Sequence, residues 1–268
     1  MKPLNNLTIA IKGAGEMASA IAHRLYMANL RRIFLMEQPH PLAVRRLVSF
    51  CEAIHTGRQA VENVAAVAVQ SPDQIQGTWK DGWIPVLVDP QWNALQALSP
   101  DVCVDAILAK RNLGTTLAEA PVVIGLGPGF FAGKDVHMVI ETNRGHHLGR
   151  IITSGSAADN TGVPGEIAGY AKERVLRSPA DGLFEASASI GNLVKKGNTL
   201  GHVLDRNVQA GVDGVIRGLI RTGTQVSKGL KIGDIDPRGN IDHCATISDK
   251  ARAVAGSVLE AILREYNR

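Results

Sequence analysis

The chain has 268 residues, a net charge of +4, and 45% hydrophobic but only 4% aromatic side chains. That length suits one large or two smaller domains with ordinary cores. So few aromatics disfavour a stacking platform for single-stranded nucleic acid, and cations spread along the chain exclude a basic nucleic-acid arm. Three cysteines (Cys51, Cys103 and Cys244), odd in number and without a CxxC pair, fit a reducing compartment better than a disulfide scaffold. Gly13 interrupts the N-terminal apolar run before a secretory signal is complete, and no apolar run reaches the ~18 residues of a membrane span. A cytoplasmic protein is expected, with no nucleic-acid or membrane partner.

In chain order, residues 7–12 (LTIAIK) form a short apolar run that ends at Gly13. Met17, Ile21, Leu25 and Ala28 then fall on one helical face, and residues 33–36 give a second buried strand ending at Glu37. Further strands are expected over residues 64–69, 85–88, 102–108 and 122–124. Helix-like stretches lie between them over 41–53, 72–78 and 92–98. Continuous apolar strands alternating with helices argue for a parallel sheet covered on both faces. The fold class is therefore α/β, with a Rossmann-like nucleotide-binding domain over residues 1–125 and a glycine-rich connecting segment over 126–177.

Residues 178–240 differ in character. DGLFEASASIGNLVKKGNTLGHV, from Asp181, aligns at an offset of 32 residues with DGVIRGLIRTGTQVSKGLKIGDI, from Asp213. Identical pairs include Asp181/Asp213, Gly191/Gly223, Lys196/Lys228 and Gly197/Gly229. Each half reads as short strands broken by glycine turns, so the two suggest a small closed all-β unit. The pattern resembles the barrel-sandwich hybrid of biotinyl and lipoyl carrier domains. The link between the halves, LDRNVQAGV, has no lysine to modify, which favours a structural or docking module over a swinging arm. Residues 246–268 read as a C-terminal helix that Ser248 or Asp249 could cap, with Ala253, Ser257, Leu259 and Ile262 in its amphipathic pattern.

Gly13-Ala14-Gly15-Glu16-Met17-Ala18 is a GxGxxA pattern between a strand and a helix, which is the context of a dinucleotide loop. Gly13 permits the tight turn, Gly15 lets a pyrophosphate approach the backbone, and the helix starting near Glu16 offers free N–H groups. Glu37 is placed to accept hydrogen bonds from a ribose diol, favouring an NAD- or adenosine-type ligand. A packing turn with no nucleotide is the alternative.

Residues 103–150 interleave glycine with charge. Asp105, Lys110, Arg111 and Asn112 follow an apolar run, where an open α/β sheet binds ligands, and they suit an anionic group. Gly127 and Gly129 open GPGFFAGKD. This is not a P-loop, because Pro128 stands where glycine is needed and Asp135 where Ser or Thr would bind magnesium. A glycine nest for another anion remains open. Glu141, Asn143 and Arg144 cluster after an apolar triplet, either to contact ligand or as a structural ion pair. There is no GxSxG elbow, and His146-His147 and His243-Cys244 lack metal-ligand spacing, so no metal is expected. Cys103, between Val102 and Val104, reads as a core thiol, with a reactive thiol near Asp105 as the alternative.

DAILAKRN from Asp105, IGLGPGF from Ile124, AGKDVHMVIETNRGHHLG from Ala132 and TGVPG from Thr161 together resemble the YqeB-type proteins, accessory proteins associated with selenium-dependent molybdenum hydroxylases. GAGEMASAIAHRL is similar to the Rossmann domain of the XdhC/CoxI family. The resemblance implies a maturation role: a nucleotide or molybdopterin-type cofactor as ligand, and the hydroxylase apo-enzyme or other maturation proteins as partners, with a homo-oligomer also compatible. The residues themselves leave two alternatives: an NAD-dependent oxidoreductase using His137 or His146, or a non-catalytic nucleotide-binding docking module.

Overall fold

The computed structural model describes residues 2–267. The chain forms two compact units. The first takes the N-terminal segment through Pro41, then Ser49–Asn160, and the stretch from Ile247 onward; the second takes Leu42–Val48 and Thr161–Thr246.

In the first unit, β1 (Thr8–Lys12) leads into α1 (Glu16–Met27) and β2 (Arg32–Glu37). After two short 3-10 turns come α2 (Ala53–Thr56), β3 (Arg58–Val61), β4 (Val64–Val69), α3 (Ile75–Lys80), β5 (Ile84–Val88) and α4 (Asn93–Leu98). The sheet is completed by β6 (Val102–Asp105), β7 (Val122–Leu126), β8 (Met138–Ile140) and β9 (Ile151–Ile152). Its spatial order is β3-β4-β5-β2-β1-β6-β7-β8-β9. Every pairing from β4 across to β8 is parallel, and the outermost β3 and β9 run antiparallel. The central strands are apolar on both faces, as a covered parallel sheet requires: Ile9, Ile11, Phe34, Leu35, Val102 and Val104 are fully buried. Each large side chain so buried contributes roughly 1.5–3 kcal/mol. The small residues Ala18, Ala20 and Ala22 let α1 lie close on the sheet, and the helix stops where Asn29 takes a left-handed backbone (φ 65°).

Two sequence expectations change here. The helix over residues 41–53 is absent; Arg46 Nε donates to the Leu219 carbonyl (2.8 Å) and Arg45 to those of His243 and Thr246, which draws residues 42–48 into the second unit. The strand expected to reach residue 108 ends at Asp105, because Leu108 and Lys110 adopt positive φ (60° and 62°). The units also divide the chain elsewhere than at residues 125, 177 and 240. β7 runs through residue 125 and pairs with β8, so the glycine-rich segment up to Asn160 completes the sheet instead of linking domains.

The second unit holds β10 (Val175–Arg177), β11 (Gly182–Ala186), β12 (Leu193–Val194), β13 (Thr199–Val203), β14 (Arg206–Gln209), β15 (Gly214–Leu219), β16 (Thr224–Val226), β17 (Lys231–Asp236) and a short α5 (Asp242–Ala245). Two four-stranded antiparallel sheets result, β10-β17-β15-β12 and β14-β13-β11-β16. The repeat governs the pairing. Gly182 pairs with Val226, and its counterpart Gly214 pairs with Val194, so each half lends its middle strand to the other's sheet. The repeated aspartates lock this exchange: Asp181 Oδ1 accepts the Lys228 amide and Asp213 Oδ1 the Lys196 amide, each at 2.8 Å. The two sheets enclose a core that includes Phe184, Leu200, Val203, Ile216, Ile232 and Ile235. The link between the halves turns at an exposed Leu204 in left-handed conformation (φ 56°).

The chain returns to the first unit with α6 (Asp249–Tyr266), which packs on α1. Ser248 is its N-cap, its Oγ accepting from the Ala251 amide at 3.3 Å. The buried stripe is Ala251, Val254, Ala255, Val258, Ala261 and Ile262, at i, i+3, i+4, i+7 spacing. Ala253, Ser257 and Leu259 fall off it, so the expected face was rotated. No helix among the described residues is long and apolar enough to cross a membrane.

Candidate functional site

The chain leaves β1 for β2 on one side, and β6 is later laid against its other side, so the strand order reverses between β1 and β6. Loops leaving the carboxyl ends of two such strands diverge and open a crevice. Around this point the first unit gathers residues far apart in sequence: Gly13–Gly15 after β1, Glu37 at the end of β2, residues 105–112 at and after β6, Gly127–Gly129 after β7, Glu141–Arg144 after β8, and the start of α6.

Several predicted ligand groups are engaged by the protein itself. Glu37 accepts the Ala14 amide (2.8 Å) and the Gln38 amide (2.7 Å), fastening the glycine loop to β2; burial raises its pKa against the pull of those two bonds. Asp105 accepts the Thr115 hydroxyl (2.7 Å) and the Ile107 amide (3.2 Å), and its pKa is likewise raised by burial. Glu141 accepts the amides of Asn143 (2.6 Å) and Ala158 (2.7 Å). Asn112 Oδ1 takes the amides of Gly114 and Thr115. Asp89, which the sequence reading passed over, does the same after β5 by accepting the Ala94 amide at 2.7 Å. Acids at strand ends thus serve here as loop fasteners.

The glycines divide by the space beside them. A Cβ on Gly129 would lie 2.4 Å from the Arg111 Cα, and one on Gly127 2.4 Å from the Thr142 hydroxyl. Both positions are filled by protein, so close packing accounts for these glycines. Gly13 (φ 88°) makes the turn against Ala106 and Ile107. Gly15 has nothing within 4 Å of a built Cβ and leaves open space at the start of α1. Glu16 stands in that first turn, with Oε1 accepting the Ser248 hydroxyl at 2.9 Å.

Four cations remain. Lys110 and Arg111 are exposed after β6, Arg144 makes a two-pronged contact with Asp249 (2.8 and 2.9 Å), and Lys250 sits at the start of α6. Burial lowers the pKa of Lys250; the charges of Arg144 and Lys110 add to this, and those of Glu16 and Glu141 oppose it. The five groups are therefore electrostatic neighbours. Only Lys250 was missed from sequence, where it reads as an ordinary helix-surface lysine.

Beneath this edge lies a buried polar cluster that the sequence did not reveal. Lys12, 1% exposed, ends β1 and donates to Glu119 (2.7 Å) and to the Thr115 hydroxyl (2.8 Å), with its ammonium 5.4 Å from the Trp92 ring centroid. Its register partner in β6 is Asp105. The Cys103 thiol contacts Glu119 Oε2 at 3.4 Å, and its pKa lies well above the ordinary range through burial and the Glu119 charge. Such a thiol is unreactive, which favours the core reading of Cys103. His137 precedes β8 at the amino edge, with Nδ1 accepting the Val123 amide (2.9 Å), away from the glycine loop that a hydride donor would occupy.

No protein-family model matches this chain. It is 46% identical over 261 residues to the uncharacterized protein YqeB of Escherichia coli (strain K12), covering 97% of this chain and 48% of that protein. The chain therefore spans about half the length of the curated relative it matches. Among solved structures, it overlaps an aspartoacylase family protein of Mesorhizobium loti MAFF303099 (TM-score 0.27, 10% identity, 85% of this chain and 84% of the other). It also overlaps the product-bound ectoine utilization protein EutE (DoeB) of Ruegeria pomeroyi (TM-score 0.26, 13% identity, 85% of each chain). Overlaps this low support no inference about fold or activity. The sequence likeness to YqeB extends over nearly all of this chain.

Proposed function

We propose that this chain is a cytoplasmic accessory protein in the maturation of a selenium-dependent molybdenum hydroxylase, and that it binds a nucleotide or molybdopterin-type cofactor by its anionic end at the carboxyl edge of the parallel sheet. The observation carrying this reading is that Gly15, Lys110, Arg144 and Lys250, from four separate segments, lie along that edge beside the β1/β6 reversal. A Rossmann-like use of the first unit follows from the same placement. The likeness to YqeB is consistent with it, while the role itself rests on the resemblance of the 105–165 motifs.

A molybdopterin-type cofactor supplies a phosphate, or a diphosphate in its dinucleotide form, and three cations beside an open glycine turn fit such a group. Gly15 admits it to the α1 amides, Lys110 and Lys250 neutralise it, and Arg144 is held in place by Asp249. Glu37 fits an NAD ribose poorly, because its carboxylate already holds the Ala14 and Gln38 amides. This weighs against the oxidoreductase alternative. The second unit, with no lysine at its Leu204 turn, acts as a docking module for the apo-hydroxylase.

The test is mass spectrometry of small molecules released from protein purified anaerobically from a host expressing a molybdenum hydroxylase. A pterin or its dinucleotide, recovered from the native chain and lost in Lys110→Ala/Arg144→Ala, is expected. Normal hydroxylase maturation with that variant would overturn the proposal, and recovery of NAD with no pterin would favour the oxidoreductase alternative.

A further inference from the structure

A cavity of about 620 Å³ opens at the opposite, amino edge of the first unit's sheet, where β1 and β2 begin and α1 and α3 end. Arg31, Arg32 and Lys80 line it together with Trp79, Asn29 and Gln76, and none of its described lining residues is acidic. Its size falls in the range of small-molecule sites.

Helix dipoles alone offer an explanation for cations at this edge, since the carboxyl ends of α1 and α3 attract them. Each helix end carries roughly half a negative charge, about −1 in total, against three full positive charges. An excess of about +2 is left facing one concavity. The nearby Asp101 does not cancel it, because its carboxylate accepts the Thr8 amide (2.7 Å) and pairs with Lys2 (2.5 Å). The walls are also fixed in advance. The Trp79 indole N–H donates to the Ile33 carbonyl at 2.7 Å, which orients the ring. The Arg31 guanidinium lies 4.9 Å from the Tyr26 ring centroid and donates to Asn29 Oδ1 at 3.2 Å. Groups already ordered lose little entropy on binding.

We propose that this cavity is a second ligand site, distinct from the carboxyl edge, that binds a phosphorylated small molecule. The cations hold its phosphates, the side-chain amides of Asn29 and Gln76 bond its polar groups, and Trp79 packs against its organic part.

Calorimetric titration of the full chain with ADP and, separately, with inorganic pyrophosphate tests this. Lys110→Ala/Arg144→Ala, in which the carboxyl-edge site is already disabled, is compared with the same variant carrying Arg32→Glu/Lys80→Glu in addition, each confirmed as folded by circular dichroism. Expected is saturable binding of at least one probe to Lys110→Ala/Arg144→Ala, weakened tenfold or more by the added Arg32→Glu/Lys80→Glu. ADP binding without pyrophosphate binding would assign part of the affinity to the Trp79 wall. No binding of either probe at millimolar concentration would overturn the site, as would weakening of less than threefold by the added pair. Failure of the carboxyl-edge reading leaves this result untouched, because that reading stands or falls on the pterin retained by the native chain.

Discussion

The carboxyl edge of the first unit and the aspartate pair of the second unit both bury carboxylates, with different partners. Glu37 and Asp105 are held by amides and a hydroxyl, and burial raises their pKa. Asp234 is held by Arg174 and Arg217 (2.7 Å), and Asp236 by Arg238 (2.6 Å), with His243 at 3.4 Å. Burial pushes Asp236 up, but the Arg238 hydrogen bonds and the Arg238 and Arg217 charges outweigh it and hold its pKa at about 2. Both donor sets favour the charged acid, but burial prevails over the neutral donors at Glu37 and Asp105 and yields to the arginines at Asp236. The first arrangement fastens loops to strand ends, and the second suits a rigid scaffold.

The largest expected effect breaks the second arrangement. Asp234→Ala removes the carboxylate that pairs with both Arg174 and Arg217, at a place where Asp234 is only 1% exposed; Arg174 keeps the Gly165 carbonyl and Arg217 keeps Asp236 at 3.7 Å. Loss of one partner from such a pair costs about 3–5 kcal/mol. Urea denaturation followed by amide exchange in residues 174–236 should show this loss. A cost below about 1 kcal/mol would mean that water reaches the arginines and the network is not a scaffold.

Next in size is Lys12→Met, since Lys12 and Glu119 form a buried cation–carboxylate pair in the first unit beneath the edge. Removing the ammonium takes the charged donor from Glu119, which keeps the Cys103 thiol, and from the Thr115 hydroxyl, at about 3 kcal/mol. Adding Glu119→Gln should recover half or more of that loss. Tryptophan fluorescence reports it cleanly, because Trp79, Trp83 and Trp92 all lie in the first unit. If the double variant is no more stable than Lys12→Met, the pair is not coupled.

Acid sharpens the comparison at a smaller magnitude. The folded pKa of Asp236, about 2, lies below its ordinary 3.8, so its contribution is complete above about pH 4 and lost as pH falls through about 2. That contribution is about 2 kcal/mol. Glu37 and Asp105 shift the other way: their charged forms disfavour the fold at neutral pH, and protonation removes that penalty as pH falls. Amide protection in the second unit, corrected for the intrinsic exchange rate at each pH, should therefore fall in acid more than tryptophan fluorescence of the first unit reports. Asp236→Asn should abolish the difference, and a persisting difference would assign it to another group.

Much of the sheet was legible, because strands buried on both faces must be apolar throughout and are interrupted by glycine. The repeat was legible for a similar reason, since Gly182/Gly214 and Asp181/Asp213 recur wherever the two halves exchange strands. The rotation of α6 was not, because its alanines leave the hydrophobic pattern shallow. Nor was the division of labour at the carboxyl edge. An acid that fastens a loop and an acid that binds a ribose occupy the same place in a sequence, and only the partner distinguishes them. Lys12 was hidden for a related reason: a lysine closing an apolar run reads as a solvated strand end until Glu119, 107 residues away, is found against it.

The smallest expected effect tests that distinction at Glu37. Glutamine retains one carbonyl oxygen, which can keep the Ala14 amide bond, but presents an amide where the second oxygen accepted Gln38. One bond is lost, with a cost of about 1 kcal/mol, and alanine, which loses both, should cost about twice that. Thermal denaturation of the two variants measures the series. A graded loss makes Glu37 the clamp that holds the glycine loop to β2, leaving ligand recognition to the cations across the β1/β6 reversal. If neither variant loses stability, the two hydrogen bonds contribute nothing to the fold, and the carboxylate is free to serve a ribose after all.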